Sequence, residues 1–320
     1  MDSDDGVDIQ IFDFLRVHRS GRVERLRGTE VVPAGDDAVT GVSSKDILID
    51  TETGVSARIY IPNLHNLHYD EPAKLPVLVY FHGGGFCIQT AFSPTYHTYL
   101  NSLSSEAKII IVSIDYRLAP EHPLPVAYND CWEALQWVAS HSNAAGPEPW
   151  LAKFSDLGRL FLAGDSAGAN IAHHMGMRAR AENLKKGLKI KGIVLIHPYF
   201  WGSEPVGEEN VGEELRRRLD ELWMFLCPES DGVDDPRINP IAKGAPKMDG
   251  MACEKLMVCV AEKDAMSSRG RVYYERLKEM WGGVVELVVS EGMDHVFHLE
   301  EPSSGKAVEM MTKVVAFLCS

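Results

Sequence analysis

The motif "GDSAG" (164–168) contains the residue types that acyl transfer to a serine requires. It follows the apolar run "RLFLA" and precedes the helix-like "AGANIAHHM", which is the strand–turn–helix setting of a nucleophile elbow. Gly164 and Gly168 lack the side chains that would collide in so tight a turn. The motif therefore predicts that Ser166 projects from the turn as a nucleophile. The structural alternative is a serine that only caps the N-terminus of the helix.

A serine hydroxyl needs a base that takes its proton and an acid that orients the base. The stretch "VELVVSEGMDHVFHL" offers His295 and His298 just beyond a predicted strand. For the acid, "LMVCVAEKDAM" ends a buried strand at Glu262 or Asp264, and Asp294 beside the first histidine is a rival. Residue types and chain order leave both choices open.

The second motif, "FHGGGF" (81–86), ends the apolar run "LPVLVYF" with three consecutive glycines. A tetrahedral intermediate carries an oxyanion, which needs N–H donors that are already in place. Gly84 and Gly85 can present bare N–H groups at a strand end, and Ala167, next to the nucleophile, can supply another. The alternative is a loose turn without a role in the reaction. Given Ser166, we expect the glycines to bring backbone N–H groups to the substrate's oxygen.

These motifs require strands that end at a common edge of a sheet, and apolar runs alternate with segments of helical periodicity. Near-continuous apolar strands between helices are typical of a mostly parallel sheet with helices on both faces, whose ligands bind beyond the carboxyl ends of the strands. Strands are predicted at 55–62, 75–81, 108–116, 159–166, 189–200, 254–264 and 285–292, and helices at 128–141, 167–185, 268–281 and 305–318.

Two segments interrupt this alternation, at about 1–45 and about 201–245. The first contains an amphipathic piece with a turn at Ser20-Gly21, and the second contains the helix-like "ELRRRLDELWMFL". We expect one domain over 1–320 in which both segments cover the carboxyl edge of the sheet as a small helical cap. Their apolar residues then either line a pocket or pack on the sheet: Ile11, Phe12, Leu15, Trp223, Phe225 and Leu226.

Composition excludes several classes of function. The net charge of −14 argues against a nucleic-acid partner, because phosphate binding needs basic patches. No run approaches 18 apolar residues, so no membrane span is expected. The six cysteines lack C-x-x-C spacing, and the adjacent His173 and His174 would face different directions on a helix, so no metal or other cofactor is expected. The acidic start "MDSDDGVDIQ" shows no secretory leader, which favours a cytoplasmic location with a nuclear pool in addition.

Five stretches together resemble the hormone-sensitive-lipase group of α/β-hydrolases, and especially its plant carboxylesterases. In chain order they are "FHGGGF", "DYRLAPEHPLPVAYND", "GDSAGANIAHH", "AEKD" and "GMDHVFH", and the likeness runs from about residue 40 to the C-terminus. The resemblance implies an α/β-hydrolase fold and the hydrolysis of small-molecule carboxylic esters through an acyl-enzyme. It also implies a catalytic triad of Ser166, Asp264 and His295.

The resemblance assigns the remaining motif residues as well. The oxyanion hole would be the glycine loop with Gly84 and Gly85 as main donors, and its set is Gly83, Gly84, Gly85 and Ala167. His82 and Asp165 would be supporting residues, and 116–121 would brace the loop around the site. Two related activities remain as alternatives. One is the elimination of water by 2-hydroxyisoflavanone dehydratases, and the other is hormone binding by gibberellin receptors, which have lost the histidine that this chain keeps in "GMDHVF".

Overall fold

The computed structural model describes residues 5–63 and 74–320. The predicted first cap segment begins at residue 1, and its residues 1–4 lie outside the described residues. The strands are β1 Val7–Ile11, β2 Leu15–His18, β3 Val23–Arg25, β4 Ser43–Leu48, β5 Ser56–Ile61, β6 Leu75–Phe81, β7 Ile110–Asp115, β8 Ser155–Asp165, β9 Ile190–Ile196, β10 Lys255–Ala261 and β11 Val284–Ser290. The α-helices are α1 Pro94–Ala107, α2 Val126–Ala139, α3 Pro149–Phe154, α4 Ala167–Glu182, α5 Glu213–Leu226, α6 Ser267–Met280, α7 Phe297–Glu300 and α8 Gly305–Cys319.

The central sheet has eight strands in the order β11-β10-β9-β8-β6-β7-β5-β4. The pairs from β11 to β7 are parallel, and β5 pairs antiparallel with both β7 and β4. The predicted fold class, a mostly parallel sheet with helices on its faces, is confirmed. The carboxyl ends of β6, β8 and β10 meet at one edge, which is where the predicted site requires them.

The sheet is buried on both faces because its central strands are apolar at successive positions. All seven residues of β6 are buried. Val77 and Val79 join a core cluster on one face, whereas Leu78 and Tyr80 join the cluster on the other. Since successive side chains of a strand point to opposite faces, this continuous burial requires helices on both sides.

The N-terminal segment differs from the predicted helical cap. β1, β2 and β3 form a separate three-stranded antiparallel sheet, so only the second cap segment, with α5, is helical. The predicted turn at Ser20-Gly21 is present, with Gly21 at a φ of 84° and its N–H donating to the carbonyl of His18 at 2.8 Å. Among the described residues, no helix has the length and apolar character needed to cross a bilayer.

Candidate active site

Ser166 lies at the sharp turn between β8 and α4. Its backbone has φ 51° and ψ −117°, a region that side-chain-bearing residues rarely adopt. The turn is held by the end of β9, because the Ser166 N–H donates to the Ile196 carbonyl at 2.9 Å and its own carbonyl accepts from the Tyr199 N–H at 3.1 Å. A Cβ at Gly168 would collide with the Phe81 carbonyl oxygen, so only glycine lets the turn approach the end of β6.

Three side chains form an unbroken hydrogen-bonded chain at this turn. The Ser166 hydroxyl lies 2.9 Å from His295 Nε2, and His295 Nδ1 lies 2.7 Å from Asp264 Oδ2. The other carboxylate oxygen of Asp264 accepts the Met266 N–H at 2.9 Å. With Nδ1–H donating to the carboxylate, Nε2 is the ring atom that accepts the serine proton. This arrangement can activate a hydroxyl for nucleophilic attack.

The electrostatics of the pair suit that chemistry. Burial acts to lower the pKa of His295, but the Asp264 carboxylate and its hydrogen bond outweigh burial, so the pKa lies above its ordinary value. Burial acts to raise the pKa of Asp264, but the nearby His295 and the hydrogen bonds to the carboxylate hold this pKa below its ordinary value. The carboxylate is thus charged and can stabilise an imidazolium.

The other candidates for the base and the acid lie outside this hydrogen-bonded chain of side chains. His298 is buried edge-on against Tyr99 with ring centroids 5.0 Å apart, and burial lowers its pKa to about 3. Glu262 accepts the Gly292 N–H at 2.7 Å. Asp294 lies in the wall of the pocket, and its backbone carbonyl accepts from Phe297.

The three glycines of the loop differ in their backbone N–H groups. That of Gly83 already donates hydrogen bonds, whereas those of Gly84 and Gly85 have no acceptor within the described residues. The Gly83 N–H donates to the hydroxyl of Tyr96 at 2.8 Å and to Asp165 at 3.2 Å. Because this N–H is already bonded, Gly83 is removed from the set of predicted oxyanion-hole donors. Gly84 and Gly85 have φ of 99° and 57°, and their N–H groups donate no hydrogen bond within the described residues. Both line the same pocket as Ser166.

His82 and Asp165 support this loop from behind. The His82 ring stacks on Tyr116 at 4.2 Å with 8° between the planes, and its Nδ1 lies 2.8 Å from the Gly83 carbonyl. Asp165 accepts the hydroxyls of Tyr80 and Tyr96 at 2.8 and 2.9 Å, and burial raises its pKa to about 6. The two tyrosines carry no motif of their own, so sequence reasoning missed them.

The glycine loop is also braced from its far side. In the segment 116–121, the Tyr116 hydroxyl donates to the His82 carbonyl at 2.7 Å and the Ala119 N–H donates to the Phe86 carbonyl at 2.9 Å. Arg25 on β3 donates to the Cys87 carbonyl at 2.8 Å and pairs with Glu121 at 2.7 Å. The N-terminal sheet therefore contacts the residue directly after the glycine loop and the segment that braces the loop.

A pocket of about 510 Å³ lies above Ser166 and His295. Of the six apolar residues that could line it, only Phe12 does so. The other five pack in or against the core: Ile11, Leu15, Trp223, Phe225 and Leu226. The remaining apolar wall from these segments consists of Phe14 and of one face of α5. That face carries Leu215, Leu219 and Leu222, whose helical spacing could have indicated it.

One histidine beside the triad was not singled out from the sequence. His197 follows β9 directly, is buried, and accepts the Val296 N–H at Nδ1 at 3.0 Å. Its ring centroid lies 5.9 Å from that of His295. A lone histidine after a strand has no sequence signature that separates it from a core residue. Among the described residues, no group of three or more histidine, cysteine or acidic side chains is placed so that it could hold a metal ion.

Comparison with known protein families decides the classification. The model of the alpha/beta hydrolase fold family matches residues 78–299, which include the glycine loop and all three members of the hydrogen-bonded chain. The chain belongs to this family. The match confirms the family expected from the motifs.

Named relatives narrow the family to one class of enzyme. The chain is 48% identical to "Probable carboxylesterase 2" of Arabidopsis thaliana, covering 98% of this chain and 96% of the relative. It is 49% identical to "Tuliposide A-converting enzyme 2, chloroplastic" of Tulipa gesneriana, covering 98% and 79%. A solved esterase from Pyrobaculum calidifontis is 27% identical with a TM-score of 0.69, covering 86% of this chain and 84% of that structure. The predicted enzyme class, a carboxylic ester hydrolase of plant type, is confirmed.

The predicted cytoplasmic location is wrong. Two tulip enzymes that align with 98% of this chain are named chloroplastic, at 49% and 48% identity. These relatives point to a plastid.

Proposed function

We propose that the protein hydrolyses small carboxylic esters through an acyl-enzyme formed on Ser166. The observation that carries the proposal is the continuous hydrogen-bonded chain from the Ser166 hydroxyl through His295 to Asp264. These three side chains lie in the wall of a pocket that is also lined by Gly84 and Gly85, whose N–H groups have no acceptor within the described residues. Nucleophile, base, acid and oxyanion donors thus occur together at one point of the surface.

In the first half of the reaction, Ser166 Oγ attacks the ester carbonyl carbon and its proton passes to His295 Nε2. The carbonyl oxygen becomes an oxyanion, which accepts hydrogen bonds from Gly84, Gly85 and Ala167. Ala167 is the first residue of α4, so its N–H has no acceptor within the helix. Asp264 stabilises the imidazolium without taking its proton. The tetrahedral intermediate then collapses as His295 donates the proton to the departing alcohol.

In the second half, a water molecule attacks the acyl group and gives a proton to His295. A second oxyanion forms in the same hole and collapses with the release of the carboxylic acid. The same imidazole returns the proton to Ser166 Oγ. His295 therefore takes the proton from Ser166 in the first half-reaction and returns a proton to Ser166 in the second.

The two segments around 5–45 and 201–245 act in this proposal as the cap of a single domain. Phe12, Phe14 and one face of α5 give the pocket an apolar wall. A volume of about 510 Å³ with such a wall suits a small ester with an apolar acyl or alcohol group.

The test uses the purified protein with p-nitrophenyl esters of short acids and a fluorophosphonate probe. Wild type is expected to hydrolyse the esters and to bind the probe covalently. Ser166→Ala is expected not to bind the probe and to hydrolyse the esters only at the residual rate that binding and the oxyanion hole provide. Ser142→Ala is a matched control, because this buried serine lies outside the pocket. Elimination of water from a 2-hydroxyisoflavanone by Ser166→Ala, without ester hydrolysis by wild type, would refute the proposal in favour of the dehydratase.

A further inference from the structure

His197 occupies a point at which the loop carrying the base meets the segment that holds the nucleophile. It follows β9, its N–H donates to the Cys259 carbonyl at 2.8 Å on the neighbouring strand β10, and its side chain is buried. Ile196, directly before it in the chain, and Tyr199, two residues after it, make the backbone hydrogen bonds that hold Ser166. The short segment 196–199 therefore contacts both the backbone of Ser166 and the residue next to His295.

The contact with the base loop falls on a strained residue. Val296 has φ 50° and ψ 26°, the left-handed region, which is strongly unfavourable for a β-branched side chain. Such a conformation persists only where surrounding contacts enforce it. The hydrogen bond from the Val296 N–H to His197 Nδ1, at 3.0 Å, is one such contact, and it falls on the residue directly after His295.

The donor in this bond is a backbone N–H, so Nδ1 of His197 must accept and carries no proton. The ring is therefore uncharged, with its proton on Nε2. Burial keeps it so, because it holds the pKa of His197 well below its ordinary value, and the neighbouring His298 and His295 act in the same direction. A neutral acceptor in a fixed orientation suits a positioning role and not a proton-transfer role.

We propose that His197 is a positioning residue for catalysis: its Nδ1 fixes the backbone after His295 so that Nε2 of the base stays within hydrogen-bonding distance of Ser166 Oγ. The proposal rests on the Ser-His-Asp mechanism proposed above. His197 touches neither Ser166 Oγ nor the pocket, so it acts through the loop. Loss of its acceptor lets Val296 relax to a negative φ, which displaces the adjacent imidazole.

The test compares variants by kcat per active site, with active sites counted by titration with the fluorophosphonate. His197→Leu removes the acceptor at similar volume and is expected to lower kcat about 10- to 100-fold, since a displacement near 1 Å at the reacting atoms has effects of that order. KM is expected to change less than about twofold, because the pocket wall is intact. His197→Asn, whose side-chain oxygen can take the place of Nδ1, is expected to recover most of the lost kcat.

His298→Leu is the matched control. His298 belongs to the same buried group, with its ring 5.5 Å from that of His197, and neither of its nitrogens has a hydrogen-bond partner among the described residues. This variant is expected to keep kcat, whatever it does to the melting temperature. If His197→Leu does not fold, His197→Gln replaces it, because its acceptor lies one bond further out and cannot coincide with Nδ1.

The outcomes separate the two proposals. Equal kcat per titrated site in wild type and His197→Leu overturns the positioning role, as does an equal loss in the Asn variant and the Leu or Gln variant. Failure of wild type to titrate with the probe at Ser166 instead refutes the proposed mechanism. His197 has a φ of 46°, a region that asparagine adopts more readily than leucine or glutamine, so the comparison is made between variants of equal melting temperature. Under that condition, a loss of kcat in the Leu or Gln variant that Asn restores supports the positioning role.

Discussion

The floor and the roof of the pocket are held by different forces. We call the floor the glycine loop 82–86, the turn 164–168 and the residues Asp264 and His295, and the roof β1–β3 together with α5. In the floor, backbone meets backbone so closely that single Cβ atoms would collide. In the roof, the two elements meet through side chains, as where the guanidinium of Arg218 lies 4.1 Å from the ring centroid of Phe12.

The roof is anchored to the fold by buried charges. The ring of Trp201 lies under the guanidinium groups of Arg216 and Arg269, at 4.8 and 4.9 Å, and its indole N–H donates to Asp220 on α5 at 2.6 Å. The side chain of Glu209 is fully buried between the same two arginines, with 2.8 Å from its carboxylate to Arg269 Nε. Such a network fixes the placement of a helix by geometry that has no short sequence signature.

Because of this difference, we expect function to change more readily in the roof than in the floor. Close backbone contacts in the floor exclude any side chain at Gly84, Gly164 and Gly168, so the floor preserves the reaction. Side-chain packing in the roof admits many combinations of similar volume, so the roof can vary in the substrate it accepts. We therefore expect floor variants to change kcat and roof variants to change KM.

Ser166→Ala is expected to have the largest effect. Without the hydroxyl no acyl-enzyme forms, and only the catalysis given by the oxyanion hole and by binding remains, on the order of 10³–10⁴ above the reaction in water. Steady-state hydrolysis of p-nitrophenyl butyrate measures the loss, with the melting temperature as a check on the fold. Turnover near that of wild type would contradict the role of the floor.

Two glycines of the same loop give the next comparison. In Gly84→Ala the new methyl group would collide with the Ile88 carbonyl oxygen, and the φ of 99° at this position is unfavourable for alanine. The loop must therefore move, and its N–H donors move with it. We expect kcat to fall by about 10²–10³, the effect of losing one oxyanion donor. KM should change little, because the interaction is strongest in the transition state.

Gly85→Ala is the milder partner. Its new methyl group would lie 3.4 Å from Phe14 Cε2 and its φ of 57° is accessible to alanine at a cost of about 1 kcal/mol. We expect a decrease in kcat of less than about tenfold. An equal decrease in both variants would contradict this steric ranking of the two glycines. Normal kcat with a lowered melting temperature in Gly84→Ala would mean that the loop is only a turn.

The pH profile tests the electrostatics of the floor. His295 must be neutral to accept the serine proton, so kcat/KM falls as pH decreases through its pKa, by about tenfold per pH unit. Because the Asp264 carboxylate outweighs burial and raises this pKa, the midpoint is expected above the ordinary value of about 6.5.

Asp264→Asn removes the charge that raises the pKa and should both lower the activity and shift the midpoint downward. His298→Phe should leave the midpoint in place, because His298 lies outside the hydrogen-bonded chain. A midpoint that moves with His298→Phe and stays in Asp264→Asn would contradict the assignment of this titration to His295 paired with Asp264.

The roof is expected to give the smallest change. Leu219→Ala enlarges the pocket wall on α5 and removes apolar contact, so KM for short-chain esters should rise about three- to tenfold, with kcat nearly unchanged. Longer acyl chains should be affected less, because they fill the new space. Met224→Ala, on the exposed face of the same helix, is the control. A fall in kcat with constant KM would contradict the division between floor and roof.

The same division explains what the sequence could predict. Gly164, Ser166 and Gly168 form a pattern because close backbone contact leaves no other choice. Residue types and chain order left the acid and the base open, and the resemblance to a known family selected Asp264 and His295. The alternating sheet and helices followed from apolar periodicity. Gly83 could not be separated from its neighbours, because its N–H is occupied by Tyr96, a residue distant in the chain.

The roof followed no such pattern. In β1 the residues 7–10 are all exposed, so the strand lacks the alternation of buried and exposed positions that would have indicated it. Helix α1 was missed for a related reason, since it buries polar residues such as Asn101 and Ser104 beside apolar ones. Five of the six apolar residues expected in the pocket wall pack in or against the core instead. For the two in the N-terminal segment the element type was predicted wrongly. For the three in α5 the helix was predicted, but the choice among its apolar positions was not.

The most direct test of the account is to trap the acyl-enzyme. Wild type is mixed with p-nitrophenyl butyrate, quenched in acid within the first turnover, and digested for peptide mass mapping. The proposed acyl-enzyme mechanism predicts an increase by the mass of one butyryl group on the peptide that contains Ser166, and no such adduct in Ser166→Ala. An ester hydrolysed by wild type with no adduct at any time point, or with the adduct on another residue, would contradict it.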